Sequence, residues 1–241
     1  MKFNASPSRA STLFKIRVRS GQGMDDDIAD ILASVSAPPI SQRTLDLQAL
    51  TRAWVAERTA PELLPYPTEL VERVMERLGK QISNIEDMTG PMDPQANFTL
   101  VILQTELERY KFLVRSFLRA RIAKVDAYPH HYLTLPETLS PLERQYLASH
   151  QALLSNHYST SFLSAFPTNL QKLDDTAGGI SMVDKPDEDT AVFCRVLRDA
   201  GKVEIQGPSQ VSEAELTRGD VWVMRWSTVR EAVRRGDVEL I

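Results

Sequence analysis

The side chains best suited to metal binding or nucleophilic chemistry are four histidines and one cysteine: His130, His131, His150, His157 and Cys194. A helical zinc site places two histidines at i and i+4 and adds a third ligand. His150 and His157 are seven positions apart instead, and adjacent His130 and His131 point in different directions in most backbones. All four read as ordinary polar histidines. Cys194 sits in the apolar run Val192-Phe193-Cys194-Arg195-Val196, which suits a buried structural thiol and not a nucleophile. A lone cysteine also excludes an intramolecular disulfide and a multi-cysteine zinc site. Asp25, Asp26 and Asp27 lack the loop glycine and distal glutamate of an EF-hand. Asp187, Glu188 and Asp189 read as linker solvation. The sequence contains no Walker loop, dinucleotide fingerprint, nucleophile elbow or zincin helix. Nothing singles out a pair of acids for general acid–base work, so an enzyme reading starts low, and no catalytic residue, cofactor or metal site is assigned.

What remains is surface and scaffold. The 241 residues suffice for one large domain or two small ones. A net charge of −4 gives no global drive toward DNA or anionic lipid. No apolar run approaches membrane-spanning length.

The elements are organised around Asn97 to Asp126, a stretch without Gly or Pro. Leu103, Leu107, Tyr110, Val114, Phe117, Ile122 and Val125 recur at three- and four-residue spacing, which predicts one long helix. Leu100, Phe112, Leu113 and Leu118 widen the stripe, so this helix needs neighbours on more than one side. The expected subunit interface comprises Tyr110, Phe112, Leu113 and Phe117, with Arg115 and Arg119 pairing with a partner's carboxylates. Lys111, Arg115 and Arg119, extended by Arg121, form a basic ridge. That ridge is a solvated or salt-bridged face, or alternatively a basic-helix nucleic-acid-binding module.

Residues 1–40 read as a disordered tail carrying a short amphipathic peptide at 24–35. The first 23 residues are basic, Ser-rich and faintly like a transit peptide, or an extension upstream of Met24 as the usual start. Ile28, Ile31, Leu32 and Val35 fall on one helical face behind an acidic start, and Pro38-Pro39 isolates them. From Ser41, an expected N-cap, a helical domain runs over 41–166. Its helices are broken by the corner Ala60 to Pro67 and by a loop from Met88 to Gln95, and Thr68 is expected to cap the second. Ser140-Pro141-Leu142-Glu143 opens a further helix with an N-cap, a first-position proline and a nearby acid. Residues 167–189 form a polar linker. The β-rich domain at 190–241 has strands at Thr190–Leu197, Lys202–Ile205, Val221–Trp226 and Val238–Ile241. Gly201 lies in a turn between the first two, Leu216 to Asp220 is turn-like, and Ser227 is expected to cap a short helix. Val238, Leu240 and Ile241 alternate with Asp237 and Glu239, so one face of the last strand is expected to dock the module. The fold class is α+β, an all-α helical bundle followed by a small β domain.

Several stretches resemble a known family in its own order. Trp54 to Leu64 is similar to the first helix and corner of the Sld-five subunit of GINS, the eukaryotic four-subunit replication complex. Glu108-Arg109-Tyr110 with Arg115 to Arg121 resembles that subunit's long helix. Asn169 to Asp174, Lys185-Pro186-Asp187 with Val192-Phe193, and Gly236 to Ile241 resemble its junction, the start of its β domain and its terminus. The resemblance implies a non-catalytic structural subunit of a nuclear heterotetramer. It implies three other GINS subunits as partners, and the MCM helicase with its Cdc-forty-five partner beyond them. DNA contact is at most indirect, and no membrane is involved. Asp30-Ile31-Leu32 resembles the tail by which fungal members dock on the trimeric replisome hub that leads to DNA polymerase alpha. That assigns Ile28, Asp30, Ile31, Leu32 and Val35 to hub docking.

Overall fold

The computed structural model describes residues 15–16, 41–88, 94–172, 181–206 and 211–241. The chain divides into two compact units, Ala33–Glu188 and Met1–Leu32 with Asp189–Ile241. The first is helical and the second is built on short strands.

In the helical unit, α1 (Gln42–Thr59) begins where the Ser41 hydroxyl accepts from the Thr44 amide at 3.3 Å. Pro61, Pro65 and Pro67 keep the next residues out of helix until α2 (Thr68–Met88). Val71, Val74, Leu78 and Ile85 form its buried stripe. The central helix α3 (Pro94–Ala127) has 34 residues and is about 51 Å long. It starts at Pro94, not Asn97, because proline at a first position sacrifices no intrahelical bond. Tyr128-Pro129 ends it, and α4 (Pro129–Leu133) and a 3-10 turn (Pro136–Thr138) lead into α5 (Pro141–Ser161). Ser140 and Glu143 form a reciprocal capping box there. Leu50, Val74, Leu78, Ile85, Leu100, Leu107 and Val114 join α1, α2 and α3 in one core cluster. Leu63, Val125, Tyr132, Leu139 and Leu147 make a second around the C-terminal end of α3.

In the second unit, a four-stranded antiparallel sheet runs β1-β5-β2-β6, comprising Lys15–Ile16, Val221–Arg225, Ala191–Val196 and Val238–Leu240. β3 (Gly201–Gln206) and β4 (Val211–Leu216) form a separate pair. α6 (Trp226–Arg235) follows β5 directly and ends at Gly236, whose φ of 77° is left-handed. Only glycine takes that conformation cheaply, and the turn releases the chain into β6. Val192, Cys194, Val196, Leu216, Trp222, Met224, Trp226, Val229, Val238 and Leu240 are among its buried core residues.

Four local expectations fail. Thr68 is the first residue of α2 and not its cap, and the Pro67 carbonyl accepts from the Val71 amide at 3.0 Å. Gly201 does not join a hairpin of the first two strands: β2 pairs with β5 and β6, and Gly201 opens β3 with φ 75°. Ser227 does not cap α6, since strand runs straight into helix and Arg225 takes the cap position. The turn begins after Leu216, because residues 211–216 are the strand β4.

A buried arginine hub and an outward apolar stripe

Arg121 is 0% exposed, in the middle of the helical unit. Its guanidinium has five N–H donors, and every one is used. Nε and Nη2 donate to the Glu143 carboxylate at 2.7 and 3.1 Å. Nη1 donates to Glu57 at 3.0 Å and to the Leu64 carbonyl at 2.7 Å. Nη2 also donates to the Thr138 carbonyl at 2.9 Å. The rings of Tyr66 and Phe117 lie 5.1 and 5.7 Å from the guanidinium carbon, as in cation–π contacts. One turn on, Lys124 bridges Glu57 at 2.7 Å and the Glu62 carbonyl at 2.8 Å. Two cations thus pair directly with two carboxylates. Glu143 also accepts from the Ser140 amide, so the α5 capping box belongs to the same network.

Each partner arrives from a different element: Glu57 from α1, Leu64 and Tyr66 from the proline corner, Thr138 from the 3-10 turn and Glu143 from α5. Nearby, the Tyr132 hydroxyl accepts from the Leu63 amide at 3.0 Å. Burial pushes the Tyr132 phenol up to about 12. Burial also pulls Lys124 below its ordinary value, against the opposing pull of Glu57. The hub fixes α3 against α1, the corner and α5. It offers no open coordination position and no unpaired nucleophile.

A second anchor sits at the other end of α1. Burial favours protonating Asp46. The hydrogen bond from Gln42 and the charges of Arg77 and Arg73 outweigh it and hold the carboxyl below its usual range. Arg77 approaches Asp46 at 2.6 Å, tying α1 to α2.

On the opposite side of α3, apolar side chains face outward. At about 100° per residue, Phe98, Val101, Ile102, Thr105, Arg109 and Phe112 share one face, roughly opposite Leu100, Leu107 and Val114. Phe98 is 70% exposed and Phe112 56%, and Val101 and Ile102 are exposed as well. Phe112 is braced edge-on by Trp54 of α1, ring centroids 6.4 Å apart. A shallow groove beside it is lined by Val101, Thr105, Arg109, Phe112 and Leu113. On α5, Leu142 and Leu153 are also strongly exposed.

The expected interface residues divide between surface and core. Phe112, Arg115 and Arg119 are exposed. Leu113 is half-buried against the first core cluster, and Tyr110 reaches the Arg43 carbonyl with its hydroxyl at 3.4 Å. Phe117 is 1% exposed and belongs to the hub, so it is not a surface residue. The basic ridge is broken for the same reason: Arg121 is internal, and Lys111 and Arg115 both pair with Glu108 at 3.1 and 3.2 Å. In the β unit Val238 and Leu240 are buried in their own core, and Ile241 is half-exposed. They pack inward because β6 lies against α6 and β2, which uses the apolar face expected to dock. On the other face of that sheet Phe193 is exposed. Ile28, Asp30, Ile31, Leu32 and Val35 lie outside the described residues. Cys194 is buried and its thiol is pushed up to about 11 by burial. Among the described residues no group of three or more His, Cys, Asp or Glu is placed to hold a metal, and no helix is long and apolar enough to cross a membrane.

Sequence reasoning missed Phe98, Val101 and Ile102, though their spacing matches the outward side of α3. It also missed that Glu57 and Glu143 meet Arg121: the residues around each say nothing of a partner 64 and 22 positions away.

Comparison with known proteins bears on both units. A family profile described as "GINS complex protein helical bundle domain" matches residues 69–162. Another, "DNA replication complex GINS protein SLD5 C-terminus", matches residues 186–241. The "DNA replication complex GINS protein SLD5" of Chaetomium globosum is 50% identical over 221 residues, covering 89% of this chain and 100% of that protein. The protein of the same description from Schizosaccharomyces pombe is 39% identical, covering 90% and 100%. That from Saccharomyces cerevisiae is 30% identical, covering 81% and 80%. With a matched helical bundle, a matched C-terminal module and relatives similar along most of its length, this chain belongs to the Sld5 family of GINS subunits.

Proposed function

We propose that the chain is a non-catalytic structural subunit of a GINS heterotetramer in the nucleus, and that α3 is its main assembly surface. The observation that carries this is the outward stripe of Phe98, Val101, Ile102 and Phe112, backed by a helix clamped at its far end. A contiguous apolar stripe on a rigid element suits burial against a partner helix. The three related GINS subunits are the partners this reading assigns to it. Through the assembly the chain contributes to the replicative helicase with MCM and its Cdc-forty-five partner. The peptide at 24–35 docks on the replisome hub through Ile28, Asp30, Ile31, Leu32 and Val35.

Co-expression with the three other subunits tests the assembly surface. Phe98→Asp with Val101→Asp is expected to abolish co-purification while α5 and the hub stay folded. A fully assembled complex carrying both changes overturns the assignment of this face. A nucleic-acid role for the basic ridge predicts DNA affinity that falls steeply with salt. The internal position of Arg121 and the pairing of Lys111 and Arg115 with Glu108 favour the assembly reading.

A further inference from the structure

The four-stranded sheet takes one edge strand from the far end of the chain. The inner edge of β5 pairs with β2 along Val221–Arg225. Its outer edge meets β1, with Lys15 opposite Trp222 and Ile16 opposite Val221. The sequence around β1 supports a strand independently. Phe14, Ile16 and Val18 alternate with Lys15, Arg17 and Arg19, which is the period-two pattern of a strand and contains no acid. β5 itself reads Val221-Trp222-Val223-Met224. An open edge of that composition presents unpaired N–H and C=O groups and templates strand addition.

We propose that the outer edge of β5 is a strand-acceptor site for an extended segment of alternating apolar and basic residues, and that the chain's own β1 is its occupant. Main-chain hydrogen bonds supply the affinity, and β1 needs no deep pocket. Asp220 immediately precedes β5, so a carboxylate stands at the end of the acceptor strand and suits a basic segment. Occupied in cis, the edge is closed to other chains. Vacated, it takes a strand of the same chemistry from outside.

Hydrogen–deuterium exchange on the co-expressed complex tests this. Three forms of the chain are compared: the full chain, Ile16→Pro, and a chain beginning at Met24. Proline removes the donor at position 16 and cannot complete a ladder. Peptides covering Val221–Arg225 are expected to exchange on the order of tenfold faster in both altered forms. A synthetic peptide spanning residues 11–21 is expected to restore protection to the shortened chain. Exchange unchanged in both altered forms overturns the proposal, as does failure of the peptide to restore it. Protection of Val238–Leu240 should not move. If it falls too, β1 is part of the module's indispensable core and not an exchangeable occupant. Protection of the full chain that falls on dilution would mean that the strand comes from a second copy, which overturns occupancy in cis.

Discussion

Replacing Arg121 tests whether the hub holds the helical unit together. Arg121→Met keeps roughly the length of the side chain and its contact with Tyr66 and Phe117, and removes five hydrogen bonds. Glu57 keeps only Lys124, and Glu143 is left as a buried carboxylate with the Ser140 amide. Removing one partner of a buried ion pair costs about 3–5 kcal/mol. At about 2–4 °C per kcal/mol for a chain of this size, the melting transition should fall by about 6–20 °C. Arg121→Lys is the sharper variant, because it keeps the charge. An ammonium has three donors for five acceptor contacts. At least two are left unserved, each costing about 1–3 kcal/mol. Its cost should therefore exceed about 2 kcal/mol. The assay is thermal and urea unfolding of the purified complex, followed by circular dichroism at the helical signal. Combining Arg121→Met with Glu143→Gln completes the test. Partners in one network should couple by about 0.5–3 kcal/mol. If Arg121→Lys melts with the parent, or the two changes simply add, the hub does not act as a unit.

Other perturbations read single parts. Tyr132→Phe leaves the buried Leu63 amide without its acceptor and should cost about 1–3 kcal/mol in urea unfolding. The raised Tyr132 pKa contributes stability below pH 10 that is lost as pH rises through about 12, so ultraviolet titration should show a late tyrosine that Tyr132→Phe removes. Asp46 has a depressed folded-state pKa, so its contribution is present above its unfolded value near 3.8 and is lost as pH falls through the lower folded value. Asp46→Asn should accordingly destabilise the chain at pH 7 and narrow the difference between pH 7 and pH 3. Ser140→Ala removes one half of the α5 capping box and should cost about 0.5–2 kcal/mol.

Much of the framework was legible because its signals are local. Ser140-Pro141-Leu142-Glu143 announces the start of α5, and the structure places a capping box there. The absence of Gly and Pro after Asn97 gives the long helix, and the short apolar run around Cys194 gives β2. β4 was missed because Val211-Ser212-Glu213-Ala214-Glu215-Leu216 has poor strand propensity and depends on pairing with β3. From the sequence Arg121 belongs to a surface ridge, because Lys111, Arg115 and Arg119 precede it on the same helix. One helix cannot reveal that a carboxylate 64 residues upstream will turn that position inward. Val238 and Leu240 show the same limit in a strand. Alternation says which side chains share a face, and only packing against α6 and β2 says that the face is inside.

The order in which the hub's members are synthesised has a consequence for folding on the ribosome. Glu57 emerges first, Arg121 follows 64 residues later, and Glu143 comes another 22 behind. Until Glu143 appears, Arg121 can meet only one of its two carboxylates, and drawing it into an apolar interior leaves part of its charge uncompensated. The nascent chain therefore has reason to hold α1 and α3 loosely while α5 is being made, and to settle when the capping box arrives. Domains generally close as units during synthesis. Here the last piece to arrive carries the carboxylate that completes the set, so a ribosome stall before residue 143 should leave the upstream helices open to a protease, and a stall well past it should not.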